Sequence, residues 1–168
     1  SVILLFVQLM NYIISPLMQI PSSLSKRLAC KPLFKKIDNN RNIEEAKRLG
    51  EEGYREIVLT GIHIGSYGKD LNDGTSLIDV IEAAADASGV ERLRLGSLEP
   101  VMITQEFTRR AAAVKSLCPQ FHLSLQSGCD KTLATMRRRY TIDDFRKAVL
   151  NLRQSFPDAA VTTDLIVG

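Results

Sequence analysis

A chain of 168 residues with 45% hydrophobic and 24% charged side chains is long enough for one domain with a real core and too short for two. A net charge of +3 is a mild basic bias, which permits contact with RNA without demanding it. Three scattered cysteines, Cys30, Cys118 and Cys129, exclude a disulfide framework and point to a reducing, cytoplasmic compartment. None of them shares CxxC-type spacing, so no complete zinc or iron–sulfur site is written in the chain.

The first 25 residues carry no charged side chain, and Val2 to Ile14 is apolar apart from Gln8 and Asn11. Membrane insertion is one reading. The run is short for a span, however, is broken by Pro16 and Pro21, and lacks a basic start. Packing on the core or a disordered extension is the expected alternative, and no membrane association is expected. Lys26 to Lys36 is basic and shows no periodicity.

Asn42 to Glu52 reads as an amphipathic helix, with Ile43, Ala46 and Leu49 on one face and Gly53 as its stop. Glu56 to Thr60 is a compact strand. Thr75 is expected to cap a helix over Ser76 to Ser88, stopped by Gly89. Arg92 to Leu95 is the second strand, and a helix starting at Thr104 is expected to run toward Pro119. A third strand over His122 to Leu125 precedes a short helix, Asp130 to Arg137. Thr141 caps a longer helix broken by Pro157, and Ala160 to Val167 is the fourth strand. Strands alternating with helices imply right-handed crossovers and a parallel sheet, either open and doubly wound or part of a barrel.

In such folds ligands sit at the carboxyl ends of the strands, and the unusual loops of this chain lie there. Gly61 to Gly68 (GIHIGSYG) holds three glycines whose backbone can approach a ligand closely, with His63 as a ligand, base or spacer. Pro100 biases Glu99 to an extended conformation that aims its carboxylate across the mouth of the sheet. Gln126, Ser127 and Gly128 leave an apolar strand at a helix start and offer donors to a carboxylate or ribose. Capping by Ser127 or Asp130 is the structural alternative. One arginine of Arg137 to Arg139 could clamp a carboxylate or phosphate. Asp164 falls inside an apolar strand expected to be buried on both faces, where an acid needs a partner.

Together, LTGIHIGSYG, GSLEP, LSLQSGCD, MRRRYT and TDLIVG resemble the radical-SAM core of tRNA methylthiotransferases from about Asn42 to Gly168. The first two are closer to the MtaB type, which acts on threonylcarbamoyladenosine next to the anticodon, than to the MiaB type. The resemblance implies a partial (β/α) barrel, S-adenosylmethionine (SAM) and a [4Fe–4S] cluster that cleaves it to a 5′-deoxyadenosyl radical. It also implies a tRNA anticodon loop as partner, and no DNA. It places Gly61, Ile62 and His63 at the methionine end of SAM and Glu99, Gln126 and Ser127 on its polar groups. Arg139 falls on its carboxylate, and Asp164 to Val167 beside the adenine.

The chain departs from that pattern at one place. Three cysteines spaced CxxxCxxC are expected after the first barrel strand and upstream of Asn42, yet SLSKRLACKPLFKKIDNNRN holds Cys30 alone. Cys129 stands where the motif has serine, so no metal ligand is assigned. Residues 1–41 therefore read as an atypical leader from a frameshifted, misjoined or partial reading frame. Residues 42–168 read as a partial radical-SAM core of the α/β class, truncated at both ends. Such a cut leaves unpaired strand edges and implies marginal folding. The expected function is a methylthiotransferase fragment without activity of its own; the alternative is a non-catalytic SAM- or RNA-binding module.

Overall fold

Apolar residues recurring at helical and strand spacing sort the chain into a sheet with helices laid along one of its faces. The computed structural model describes residues 30–33, 39–61, 64, 67 and 74–166. The apolar leader, Ile62, His63, most of the glycine loop and Val167 lie outside the described residues.

Strand β1 (Cys30–Leu33) falls in the stretch that shows no periodicity in the sequence, because four residues are too few for an alternating pattern to register. It pairs parallel with β2 (Glu56–Leu59), and β2 pairs parallel with β3 (Arg92–Leu95). Strands β4 (Gln120–His122) and β5 (Ala160–Thr162) form a second parallel ladder. Parallel bridges Leu93–Leu117 and Leu98–Leu123 carry pairing from β3 to β4. Neighbours in space are thus neighbours in sequence from β1 to β5. That is the order of a (β/α) barrel wall, whereas a doubly wound sheet reverses direction at a switch point. Among the described residues the wall is an open arc and not a closed barrel.

Helix α1 (Asn39–Glu51) begins three residues before the apolar pattern predicts. It ends in a Schellman motif: Tyr54 N–H donates to Leu49 O (3.1 Å), Gly53 N–H to Gly50 O (2.9 Å), and Gly53 takes φ +85°. Helix α2 (Leu77–Ser88) is capped by Ser76 and not by Thr75. The reason is spacing: Asp79 stands three residues after Ser76, and its Oδ2 accepts from Ser76 N–H (2.7 Å) and Oγ–H (2.6 Å). Gly89, at φ +60°, stops the helix as expected.

Helix α3 (Gln105–Ala113) is capped by Thr104 Oγ1, which accepts from Phe107 N–H at 3.1 Å. It stops well before Pro119. Residues 116–118 are claimed instead by the sheet: Leu93 N–H donates to Ser116 O (2.7 Å) and Cys118 N–H to Leu93 O (2.8 Å). A short helix α4 (Asp130–Thr135) and a long one, α5 (Ile142–Ser155), follow. Thr141 and Asp144 form the capping box of α5.

One face of the arc packs on the helices. Ile57, Leu59, Leu93, Leu95, Phe121 and Leu123 are buried there, and Phe121 meets Phe156 beyond α5 with ring centroids 5.1 Å apart. The alternate positions point to the other, inner face and are polar apart from Val58. Arg92 Nε donates to Glu56 Oε2 (2.7 Å), and Arg94 reaches Glu56 (3.5 Å) and Gln120 (3.1 Å).

Helices α1 and α2 touch at Gly50, where a Cβ would lie 1.9 Å from the Ser88 carbonyl oxygen. In an isolated helix Gly→Ala stabilises by about 1 kcal/mol. Here the methyl meets backbone that cannot rotate away, and overpacking of this kind costs ~1–3 kcal/mol. Gly50→Ala is therefore expected to lower the thermal midpoint by several degrees in calorimetry; an increase would show that the helices can separate freely.

Asp79 also accepts from Arg110 of α3 (2.6 Å), which bonds Glu82 as well. The Ser76 hydroxyl, and then Arg110, hold its carboxyl at about 2, below the ordinary 3.8. A depressed carboxyl stabilises the fold above its unfolded value and ceases to do so as pH falls through the folded one. Thermal midpoints of wild type and Asp79→Asn are expected to differ near neutral pH and to converge as pH falls from about 4 to about 2.

Candidate functional site

Because the strands are parallel and in chain order, their carboxyl ends form one row. Gly96 sits where β2 and β3 end side by side. Its N–H donates to Leu59 O (2.7 Å), and a Cβ there would lie 2.6 Å from Thr60 Oγ1, so only glycine permits this approach. Gly61 is the exposed residue beyond Thr60. Tyr67, from the same loop, is met by the Asn42 amide of α1 at 3.3 Å.

Glu99 takes φ −81° and ψ 141°, the extended conformation that Pro100 imposes. It is half-buried, and Leu98 before it is stitched to β4: Leu98 N–H donates to His122 O and Ser124 N–H to Leu98 O, both at 2.9 Å. Gln126 lies in the left-handed region at φ +70°, which a residue with a Cβ occupies at a cost. Two backbone bonds hold it there: Gln126 N–H donates to Asp164 O and Ile166 N–H to Gln126 O, both at 2.9 Å. Strained residues of this kind cluster at functional sites.

Ser127 Oγ accepts from Cys129 N–H at 3.3 Å, a local turn contact and not a helix cap. Asp130 does not cap α4 either; its Oδ1 accepts from Ile142 N–H (2.8 Å) and so ties α4 to the start of α5. Arg137, at φ +56°, occupies the left-handed position of a Schellman turn, with Arg138 N–H donating to Leu133 O (2.9 Å). Beyond that turn Arg139 is exposed and makes no side-chain bond among the described residues. Its neighbours point inward.

Two side chains that the sequence reading passed over belong to this row. Tyr140 is 4% exposed, with its hydroxyl 3.5 Å from Leu125 O. Burial raises its pKa, Glu99 adds to the rise and Arg138 opposes it, so the phenol stands between a carboxylate and a guanidinium. His122 lies on the inner face with Nε2 3.3 Å from Asp164 Oδ2. The signal for His122 was the even-numbered polar series Gln120, His122, Ser124 and Gln126 on one side of β4.

Asp164 corrects an expectation. Its side chain is 71% exposed, because β5 pairs on one side only among the described residues and Thr162 to Ile166 all face solvent. The apolar run around it signalled burial that a single ladder cannot provide. The structure thus puts Gly61, Glu99, Gln126, Ser127 and Asp164 at strand ends of the carboxyl edge, with Gln126 and Asp164 joined by a backbone hydrogen bond, and leaves Arg139 exposed.

Carboxylates, an amide and a hydroxyl beside two glycines suit a ligand with an ammonium group and vicinal hydroxyls, and the row fits SAM in that respect. The thiols do not fit a [4Fe–4S] cluster. Cys118 is buried where β4 begins, its thiol pushed up by that burial. Cys129 is exposed at the carboxyl edge, with hydrogen bonds from Thr132 and Lys131 drawing its thiol down. Cys30 opens β1 at the amino edge. No three His, Cys, Asp or Glu side chains converge on a metal position among the described residues. No helix there is long and apolar enough to cross a membrane.

The arc is that of a (β/α) wall with polar groups at its strand ends. The family model for the Radical SAM superfamily matches residues 31–168, beginning within the stretch read as leader, and the chain belongs to that superfamily. SAM and a [4Fe–4S] cluster are the cofactors that membership implies.

The chain is 40% identical over 125 residues to the threonylcarbamoyladenosine tRNA methylthiotransferase MtaB of Thermotoga maritima, covering 74% of this chain and 28% of that protein. It is 37% identical over 136 residues to the MtaB of Bacillus subtilis, covering 81% and 30%. With the tRNA-2-methylthio-N(6)-dimethylallyladenosine synthase of Acetivibrio thermocellus it shares 36% over 126 residues, covering 75% and 26%. The chain therefore spans between about a quarter and a third of the length of these curated relatives.

The left-handed Gln126 generates a prediction. Gln126→Gly removes the Cβ conflict and is expected to hold or raise the thermal midpoint. Gln126→Val adds a branch at the strained position and is expected to lower stability by ~1–2 kcal/mol. Denaturant titration of both variants checks this, and a Gly variant less stable than Val would contradict it.

Proposed function

We propose that this chain is the SAM-holding core of a tRNA methylthiotransferase of the MtaB type, acting in the cytoplasm on threonylcarbamoyladenosine beside the anticodon. The single observation behind this reading is the row of polar groups at the carboxyl ends of parallel strands in chain order. The similarity to MtaB proteins supports the choice of reaction. In this reading Glu99, Gln126 and Ser127 bind the polar groups of SAM, and Gly61, Ile62 and His63 line its methionine end. Arg139 swings in to its carboxylate, and Asp164 lies on the adenine side. SAM is the group from which this family draws methyl and radical chemistry; the residues named here bind and orient it.

Within these 168 residues the reaction does not run, because the thiols present cannot gather on one cluster. A second reading, a module that binds SAM or the anticodon loop without turnover, is favoured by that same scatter.

Titration calorimetry of the chain with SAM and with an anticodon stem-loop, together with anaerobic iron–sulfide reconstitution, tests both readings. Binding of SAM without a stoichiometric visible chromophore is expected, and binding of the stem-loop as well would favour the MtaB-type assignment. No SAM binding would sink the core reading. A full cluster with SAM cleavage would sink the claim of inactivity.

A further inference from the structure

On the inner face, β4 and β5 share a three-residue unit. His122 Nδ1 lies 3.0 Å from Thr162 Oγ1, and Nε2 lies 3.3 Å from Asp164 Oδ2. A carboxylate only accepts, whereas a hydroxyl does either. Both contacts of a neutral ring are satisfied together when Nε2–H donates to Asp164 and Nδ1 accepts from the Thr162 hydroxyl. Asp164, which can only accept, thereby sets the tautomer, and the Thr162 hydroxyl completes it by donating to Nδ1.

The backbone beneath is already fixed without this unit. Leu123 N–H donates to Thr162 O (2.9 Å) and Gln126 N–H to Asp164 O (2.9 Å). Thr163, pointing the other way, donates to Leu123 O (2.6 Å) and accepts from Leu125 N–H (3.1 Å). What His122 controls is the rotation of the Asp164 side chain. Oδ1 is left without a partner among the described residues, at the edge where Gln126 and Ser127 also stand. An ion pair or hydrogen bond this exposed adds little to stability, so its consequence lies in where Oδ1 points.

We propose that His122 is a positioning residue of the strand-end site: held in one tautomer by Asp164 and completed by Thr162, it fixes the Asp164 side chain so that Oδ1 accepts a hydrogen bond from a hydroxyl or amine of the bound ligand. The inference rests on the SAM-binding reading above and names residues that act on the ligand through Asp164.

Two measurements on the full chain test it, calorimetry with SAM and nitrogen-15 histidine spectra. A His63→Gln sample serves only to assign the second histidine. His122 is expected as a single Nε2–H tautomer, and Asp164→Asn, whose amide can accept or donate, is expected to mix the tautomers. Loss of one such hydrogen bond weakens SAM binding about tenfold in His122→Ala. His122→Gln, which keeps a donor, recovers part of that affinity, and thermal midpoints stay unchanged throughout. His122→Ala combined with Asp164→Asn is expected to be no weaker than Asp164→Asn alone.

Additive losses in that double variant would overturn the proposal. So would an Asp164→Asn protein with unaltered tautomer and affinity. If the wild type takes up no SAM, the failure belongs to the SAM reading and the spectra still decide. A single tautomer lost in Asp164→Asn sustains the unit, and a mixed tautomer in the wild type overturns it.

Discussion

Leu98 carries pairing from the first ladder to the second. It is fully buried, and its N–H and C=O both bond β4, to His122 O and from Ser124 N–H. These two bonds and the pair at Leu93, near the amino edge, join the β1–β3 and β4–β5 ladders into one wall. The bonds at Leu98 set how far β4 slides along β3. With Leu98 opposite Leu123 they set Glu99 level with Ser124, so the order of groups along the carboxyl edge follows from register.

The same register divides the sheet into two chemically different faces. Parallel sheets usually have both faces covered by apolar side chains and read as continuous hydrophobic runs. Here only the odd-numbered positions of β2–β4 behave that way. The even-numbered positions carry Glu56, Arg92, Arg94, Gln120 and His122, bonded across strands. Burial of such groups beneath a helix would leave charges dependent on perfect pairing. The inner face therefore stays open to solvent or to a polar ligand, and the helices collect on the other side.

Much of this was legible in the sequence. Helices α1, α2, α3 and α5 follow from apolar spacing and their caps, and the extended Glu99 follows from Pro100 alone. The errors lie where long-range pairing outbids local pattern. Residues 116–118 leave α3 because Leu93 needs partners, and β5 is shorter than its apolar run because only part of that run meets β4. Asp164 looked buried for the same reason. His122 carried only the polar alternation of its strand as a signal, and Tyr140, after an arginine run, carried none; the fold puts one beside Asp164 and the other near Leu125.

The thiols show how separable the two halves of such a site are. Cys118 and Gln126 are eight residues apart along a nearly extended path, roughly 26 Å at strand rise. A thiolate at the amino edge is thus out of reach of a cluster above the carboxyl edge, whatever its rotamer. The row from Glu99 to Asp164, by contrast, depends on β3, β4 and β5 and on the packing of α3 and α5 behind them. None of those contacts uses a cysteine ligand. The polar edge is thus held in register by backbone pairing and by the core behind it.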